Sequence, residues 1–267
     1  MKILRKPNFR ITIVGVCISL LTACNGVFDD IYDKPQPFVP SKGQLIIDAT
    51  SWSDWYYVDL PALQRLSAEG DDEALLKAQT EFEAYPIPMT PTGETTDKAE
   101  EGALGQYMYW FDVFGSGISK NEFRHFTPTP PQPEPQTWSF AVHRNNVRTN
   151  GGAVLETPYN SIDELPETNE WLNNRQFVAD EWSENEVWDS QDQMLLGLVP
   201  SQGIRVNKVL SSWLTLKIPP MPPEFTKNGH VFILRLADGT YAALQLQDYI
   251  SPDNDKCWFT INYKYPY

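Results

Sequence analysis

The sequence predicts an all-β, mostly antiparallel domain with one helical segment, and three observations carry that expectation. Apolar and aromatic residues alternate with polar ones in several short runs, the period-two signature of half-buried strands. Asp238-Gly239 sits between two such runs. That is a strong hairpin signal, because a type I′ turn needs positive φ at both central positions. Only one stretch, Pro61 to Tyr85, is built of helix formers.

The chain opens with a segment that stands apart from the fold. Lys2, Arg5, Lys6 and Arg10 form a basic start, and an apolar run follows from Ile11 to Leu21. A basic start, a short apolar core and small residues before a cut read as a secretory signal. The run is short for a comfortable membrane span. It ends in Leu21-Thr22-Ala23-Cys24, which resembles the bacterial lipobox, whose cysteine is acylated and begins the mature chain. The expectation is a signal peptide over 1–23, lipidation at Cys24 and a flexible tether over 24–43. Membrane attachment would then be through the lipid anchor only.

Gln44 to Thr50 carries Leu45, Ile46 and Ile47, and Asp54 to Leu60 carries Trp55, Tyr56, Tyr57 and Val58. Both read as strands. In the helical stretch Asp71 is the expected N-cap, with Asp72 and Glu73 in the acidic first turn. Leu75, Leu76, Gln79 and Phe82 follow at helical spacing. Residues 86–103 are polar and rich in Pro, Thr and Gly, a loop composition. Gln106–Phe114, Thr137–Arg148 and Lys208–Ile218 read as further strands. Residues 127–136 are a polyproline-like connector, expected outside the sheet because proline cannot donate to a ladder. Residues 231–236 and Thr240–Tyr249 flank the Asp-Gly turn, and the last run places Phe259, Ile261, Tyr263 and Tyr265 on one face.

Formal charge is −14, and losing the four basic residues of the leader leaves 17 basic against 35 acidic side chains, or −18. Such a surface argues against nucleic acid and against anionic lipid as partners. Once Cys17 has left with the leader and Cys24 is acylated, Cys257 is alone, so no internal disulfide can form. Its place in an apolar strand pattern reads as a small buried residue. No Gly-x-Ser-x-Gly, P-loop or dinucleotide glycine pattern is present. His125, His143 and His230 are scattered. Asp253-Asn254-Asp255 reads as a solvated turn, and Glu181, Glu184 and Glu186 as a solvated face. No feature marks an enzyme.

Three blocks together resemble the HmuY family of haem-binding lipoproteins. The first is Leu45-Ile46-Ile47-Asp48-Ala49-Thr50 with Trp55-Tyr56-Tyr57. The second, and most specific, is Trp138-Ser139-Phe140-Ala141-Val142-His143-Arg144 with Val147-Arg148-Thr149-Asn150-Gly151-Gly152-Ala153. The third is the C-terminal hairpin, Val231 to Gly239, closing with Asp248-Tyr249 and with Phe259 to Pro266. They cover most of 44–267 apart from an insertion at about 60–136. The resemblance implies a twisted two-layer sheet gripping haem between loops at one end. It also implies an outer-membrane lipoprotein, exposed at the cell surface in one arrangement, that takes haem (host haemoproteins being one source) and passes it to a TonB-dependent receptor.

At the iron ligands the family's histidine pattern is missing. One ligand histidine of the family follows a Trp-Leu pair equivalent to Trp213-Leu214, and its position here falls on Ile218. The other belongs to a region around 185–195 that contains no histidine. His143 matches the family's strand motif, but that histidine does not bind iron there. Other branches of the family use two methionines, and this chain has Met194 and Met221 in the two ligand-bearing segments. The resemblance thus points to Met194 and Met221 as axial ligands of haem iron. Thioether sulfur is a soft donor that suits ferrous haem, and the prolines around Met221 stiffen its loop. Two other functions fit a lipid-anchored β domain without haem: a glycan-binding module using exposed Trp52, Trp182 or Trp188, and an adhesive lipoprotein.

Overall fold

Apolar runs, some alternating in burial and some buried throughout, set the strands, and in order they begin β1 (Gln44–Asp48) and β2 (Asp54–Val58). Helices α1 (Leu60–Glu69) and α2 (Asp72–Thr80) come next, then β3 (Ala84–Pro86), β4 (Gly105–Asp112), β5 (Gly117–Ile118) and β6 (Phe126–Pro128). The middle of the chain forms β7 (Phe140–His143), β8 (Asn146–Thr149), β9 (Ala153–Glu156), β10 (Val178–Ala179), β11 (Glu181–Trp188) and β12 (Leu198–Val206). A helical turn α3 (Lys208–Ser211) leads into β13 (Leu214–Lys217), β14 (Glu224–Lys227), β15 (Phe232–Arg235), β16 (Tyr241–Ile250) and β17 (Lys256–Lys264). This computed structural model describes residues 39–118, 124–188, 197–218 and 220–267, of which 40–267 form one compact unit. The signal segment, Cys24 and Met194 lie outside the described residues.

The fold is mostly β, and every strand pairing described is antiparallel. A six-stranded sheet has the order β1-β17-β16-β15-β9-β10. A second sheet runs β11-β12-β4-β5, with β6 also along β4. The four-stranded sheet β3-β2-β7-β8 and the hairpin β13-β14 complete the set.

Period-two alternation builds the main core. Cys257, Phe259 and Ile261 of β17 point inward, and β1 sets Leu45 opposite Ile261 and Ile47 opposite Phe259. With Phe232, Leu234, Leu244 and Leu246 they cover one face of the six-stranded sheet. Against that face pack Val58, Phe140, Val142 and Val147 from the four-stranded sheet, Leu60, Leu63 and Leu75 from the helices, and Leu210 and Trp213. Each such side chain contributes roughly 1.5–3 kcal/mol through burial. The four-stranded sheet turns Trp55 and Ala141 the other way, onto Val187, Ile204 and Val206 of the β11-β12 pair. The opposite face of the six-stranded sheet, with Val231, Ile233 and Ala243, is covered by Leu165 and Leu172.

Several local expectations need correction. The helical stretch is two helices, broken where Gly70 adopts φ 73 and closes α1. Asp71 then caps α2 by accepting from the Ala74 N–H, as its sequence position predicts. Asp59 caps α1, so that helix starts at Leu60 with Pro61 in its first turn, where proline's missing N–H costs nothing. Thr137–Arg148 is a hairpin, with Arg144 at φ 48 in the turn between β7 and β8. Lys208–Ile218 begins as α3, capped by the Asn207 side chain, and becomes a strand only at Leu214.

The Asp-Gly hairpin forms, but only Gly239 has positive φ. Gly239 N–H bonds the Leu236 carbonyl and Leu236 N–H bonds the Thr240 carbonyl. This is a turn over Ala237-Asp238 closed by a left-handed glycine, the three-residue alternative to type I′.

The proline-rich connector is also not wholly outside a sheet. Thr127 and Pro128 pair with Gln106 and Gly105 in β6. Pro128 ends that strand and uses only its carbonyl, which accepts from Thr92 N–H, so the missing donor costs nothing. The rest of the connector lies over the four-stranded sheet. The Trp55 indole donates to the Gln132 side chain, Tyr57 Oη donates to the Pro133 carbonyl, and Arg148 pairs with Glu134.

Candidate functional site

Five chain segments converge on a cleft of about 380 Å3, inside the ~300–1,000 Å3 range of small-molecule sites. The stretch after β1 gives Thr50 and Trp52. The end of β4 gives Val113, and the β7–β8 turn gives Arg144. The β13–β14 hairpin gives Leu216, Ile218, Met221 and Phe225, and the β16–β17 turn gives Asn254, Asp255 and Lys256. Hairpin ends meet here because antiparallel connections place their loops at sheet edges, and rigid strands hold them.

Met221, on the loop between β13 and β14, is half-buried at the wall of this cleft. It also packs, with Trp52, Ile118, Trp188 and Ile218, against the buried trio Phe111, Val113 and Val199. Ile218 lines the same cleft and has no donor atom for a metal. Trp188 is the last residue of β11 before the undescribed segment 189–196 that carries Met194. Its ring lies 5.3 Å from that of Phe111 in an edge-on contact. Thus the described end of the Met194 segment joins the cluster that supports Met221.

Arg144 was not singled out by sequence reasoning as a site residue. Its guanidinium lies over the Trp52 ring at 3.8 Å and donates through one terminal nitrogen to the Thr50 carbonyl at 2.8 Å. Burial pushes its pKa down. The left-handed backbone at φ 48 is unusual for a long side chain. Its sequence signals were its place at the end of the Trp138–Arg144 block and its position at a tight turn, the latter legible once Val142 and Val147 were known to pair.

His143, next in the chain, points the other way. It is 1% exposed, its Nδ1 lies 2.9 Å from the Asp54 carbonyl, and its ring centroid lies 5.5 Å from that of Trp55. The carbonyl only accepts, so Nδ1 carries the proton and donates. Burial pushes the imidazole pKa down to about 4, against the weaker upward pull of the Asp54 carbonyl. This geometry fits a structural histidine.

A pH dependence follows from that burial. The native ring stays neutral while an unfolded chain takes up a proton below the ordinary value of 6.5. Stability should therefore fall as pH drops from about 6.5 toward about 4, by about 3 kcal/mol in all, and this contribution should level off below that. Urea unfolding of the wild type and His143→Gln across this range checks it. The difference between the two slopes isolates the histidine from the titrating carboxylates. Parallel slopes would mean that the ring is protonated in the fold.

The other candidates resolve into structural roles. Glu184 accepts from Tyr109 Oη and pairs with Arg124, each at 3.0 Å, and Glu186 pairs with Lys208. Trp52, Trp182 and Trp188 are each half-buried, so the exposed stacking platform expected of a glycan-binding module is not formed by them. Trp110 is the exposed tryptophan among the described residues, at 49%. Cys257 is fully buried, with burial raising its thiol pKa, which makes it inert. Among the described residues no group of three His, Cys, Asp or Glu is placed to hold a metal ion. No described helix is long and apolar enough to cross a membrane.

The model of the HmuY protein family matches residues 51–263. Among solved structures, a putative lipoprotein from Bacteroides fragilis is 26% identical, with a TM-score of 0.54, over 84% of this chain and 89% of its own. A putative HmuY-like heme-binding protein from Bacteroides vulgatus is 25% identical, with a TM-score of 0.52, over 84% and 91%. An apo HmuY analog from Tannerella forsythia shares 18% identity, with a TM-score of 0.51, over 82% and 93%, and supports the fold alone. A comparison with curated proteins finds no match.

Proposed function

The chain belongs to the HmuY family, and on that footing we propose that it is a lipid-anchored envelope protein that captures haem in the cleft beside Met221. The observation that carries the proposal is the position of Met221. A half-buried thioether stands at the wall of an aromatic-edged cleft, on a loop bracketed by Pro220, Pro222 and Pro223. Apolar walls (Trp52, Leu216, Ile218, Phe225) suit a porphyrin, whose binding is driven by removing flat apolar surface from water. Met194 serves as the second axial ligand from segment 189–196, whose neighbour Trp188 adjoins the Met221 cluster. The lipoprotein and heme-binding descriptions of the two Bacteroides relatives support the reading. In this account haem is cargo. It comes from free haem or host haemoproteins and passes to a TonB-dependent receptor at the outer membrane.

Two experiments test this. The mature chain, incubated with one equivalent of haem in the reduced state, should carry it through gel filtration at a ratio near one to one. Haem that elutes separately from the protein would refute capture. Cys24→Ala should leave the protein unprocessed or release it from membranes, since one acyl-bearing residue is the proposed attachment. Unchanged membrane retention of that variant would remove the anchor from the account.

A further inference from the structure

Arg144 is charged, partly withdrawn from water and aimed at the cleft, yet it has no carboxylate partner among the described residues. Of its N–H groups, one donates, to the neutral carbonyl of Thr50. Its flat face is held by Trp52. Asp255, the carboxylate that shares the cleft, accepts from Ser251 Oγ at 3.4 Å instead. Burial is the larger influence on Arg144 and pushes its pKa down, and the nearby Cys257 is a neutral thiol that offers no counter-charge. In a chain of net charge −14, where acidic side chains are in excess, an uncompensated guanidinium is conspicuous. Burying one without a counter-ion costs stability, and its backbone adds the strain of a left-handed residue. Strain and an unmet charge that persist together at a cleft mark a group awaiting a ligand. Lys256 lines the same cleft, with its ammonium 5.6 Å from the Tyr249 ring centroid, and adds positive potential.

We propose that Arg144 is an anion anchor that takes a carboxylate of the cleft's ligand through its free N–H groups. The inference rests on the haem reading, in which that carboxylate is a porphyrin propionate. The guanidinium, fixed over Trp52, orients the polar edge of the molecule while Met221 addresses its centre. An Arg presents parallel donors that match a carboxylate, and such charge-assisted pairs are about twice as strong as neutral hydrogen bonds.

The test uses metal-free protoporphyrin IX, so that methionine ligation plays no part, and its dimethyl ester, which lacks the charges. Binding to the mature protein is followed by porphyrin fluorescence. Arg144→Gln keeps an N–H donor for Thr50 and has the same backbone demand. It should weaken binding of the free acid roughly ten- to hundredfold and leave the ester unchanged. Arg144→Lys should fall between, since it keeps charge without the fork. Equal loss for acid and ester would make Arg144 a structural residue, and no change in either would remove it from the site. Both results overturn the anchor while leaving haem capture standing. A wild type that binds haem but does not distinguish acid from ester also overturns it. A wild type that binds no porphyrin, with or without iron, overturns the anchor and the haem reading together.

Discussion

Replacing both Met194 and Met221 with alanine should abolish the low-spin spectrum of ferrous haem on this protein. Either single change should weaken it. The cleft places Met221 beside Trp52, Ile218 and Phe225, and no histidine of the described residues lines that wall. Thioether sulfur binds ferrous iron better than ferric, and methionine ligation raises the reduction potential. Reduction should therefore sharpen the wild-type spectrum, and this sharpening should be lost in the double variant. His143→Ala serves as the control. Its ring is bonded to the Asp54 carbonyl inside the core, so it should alter stability and leave the Soret band in place. Silent methionine variants together with a decisive His143→Ala would reverse the ligand assignment.

Trp213→Ala should cost about 3–5 kcal/mol of stability, the range for emptying a large buried aromatic site. At roughly 2–4 °C per kcal/mol for a chain of this size, melting should fall by about 6–20 °C. Trp213 is fully buried, packs 6.1 Å from the Phe259 ring and stands immediately before β13, the strand that carries Leu216 to the cleft. Losing it should therefore also lower haem affinity by loosening that strand. Its indole nitrogen has no hydrogen-bond partner among the described residues. Trp213→Phe should accordingly be far milder than the alanine change, because it removes an unpaired buried donor along with part of the ring. Equal losses for the two variants would show that the indole N–H is satisfied in solution.

What could be read from the sequence was the part governed by local periodicity. β17 faces the core with the side chains that period-two alternation selects, and Asp71 caps a helix as its neighbours require. What misled was local grammar with two valid outcomes. Asp-Gly serves a type I′ turn or a left-handed glycine closing a three-residue loop, and only the register of Arg235 opposite Tyr241 decides between them. Gly70 followed by an N-capping Asp signals a break, but the helix formers on both sides masked it.

The cleft is a different case. Thr50, Val113, Arg144, Met221 and Asn254 lie far apart in the chain, and only the sheet order brings them together. Met221 reached the candidate set through family resemblance, because a lone methionine has no periodic signature. Arg144 stood inside the most specific block of the family resemblance, but nothing in that block marked it as a ligand contact. Its significance is that no carboxylate among the described residues pairs with it, which no linear reading displays.

Haem capture is read most simply by titrating the mature wild-type protein with haem under reducing conditions and following the Soret band. A new, sharp, saturable band should appear at one equivalent, broaden on oxidation and return on reduction. A spectrum identical to that of haem in buffer at every ratio would contradict capture.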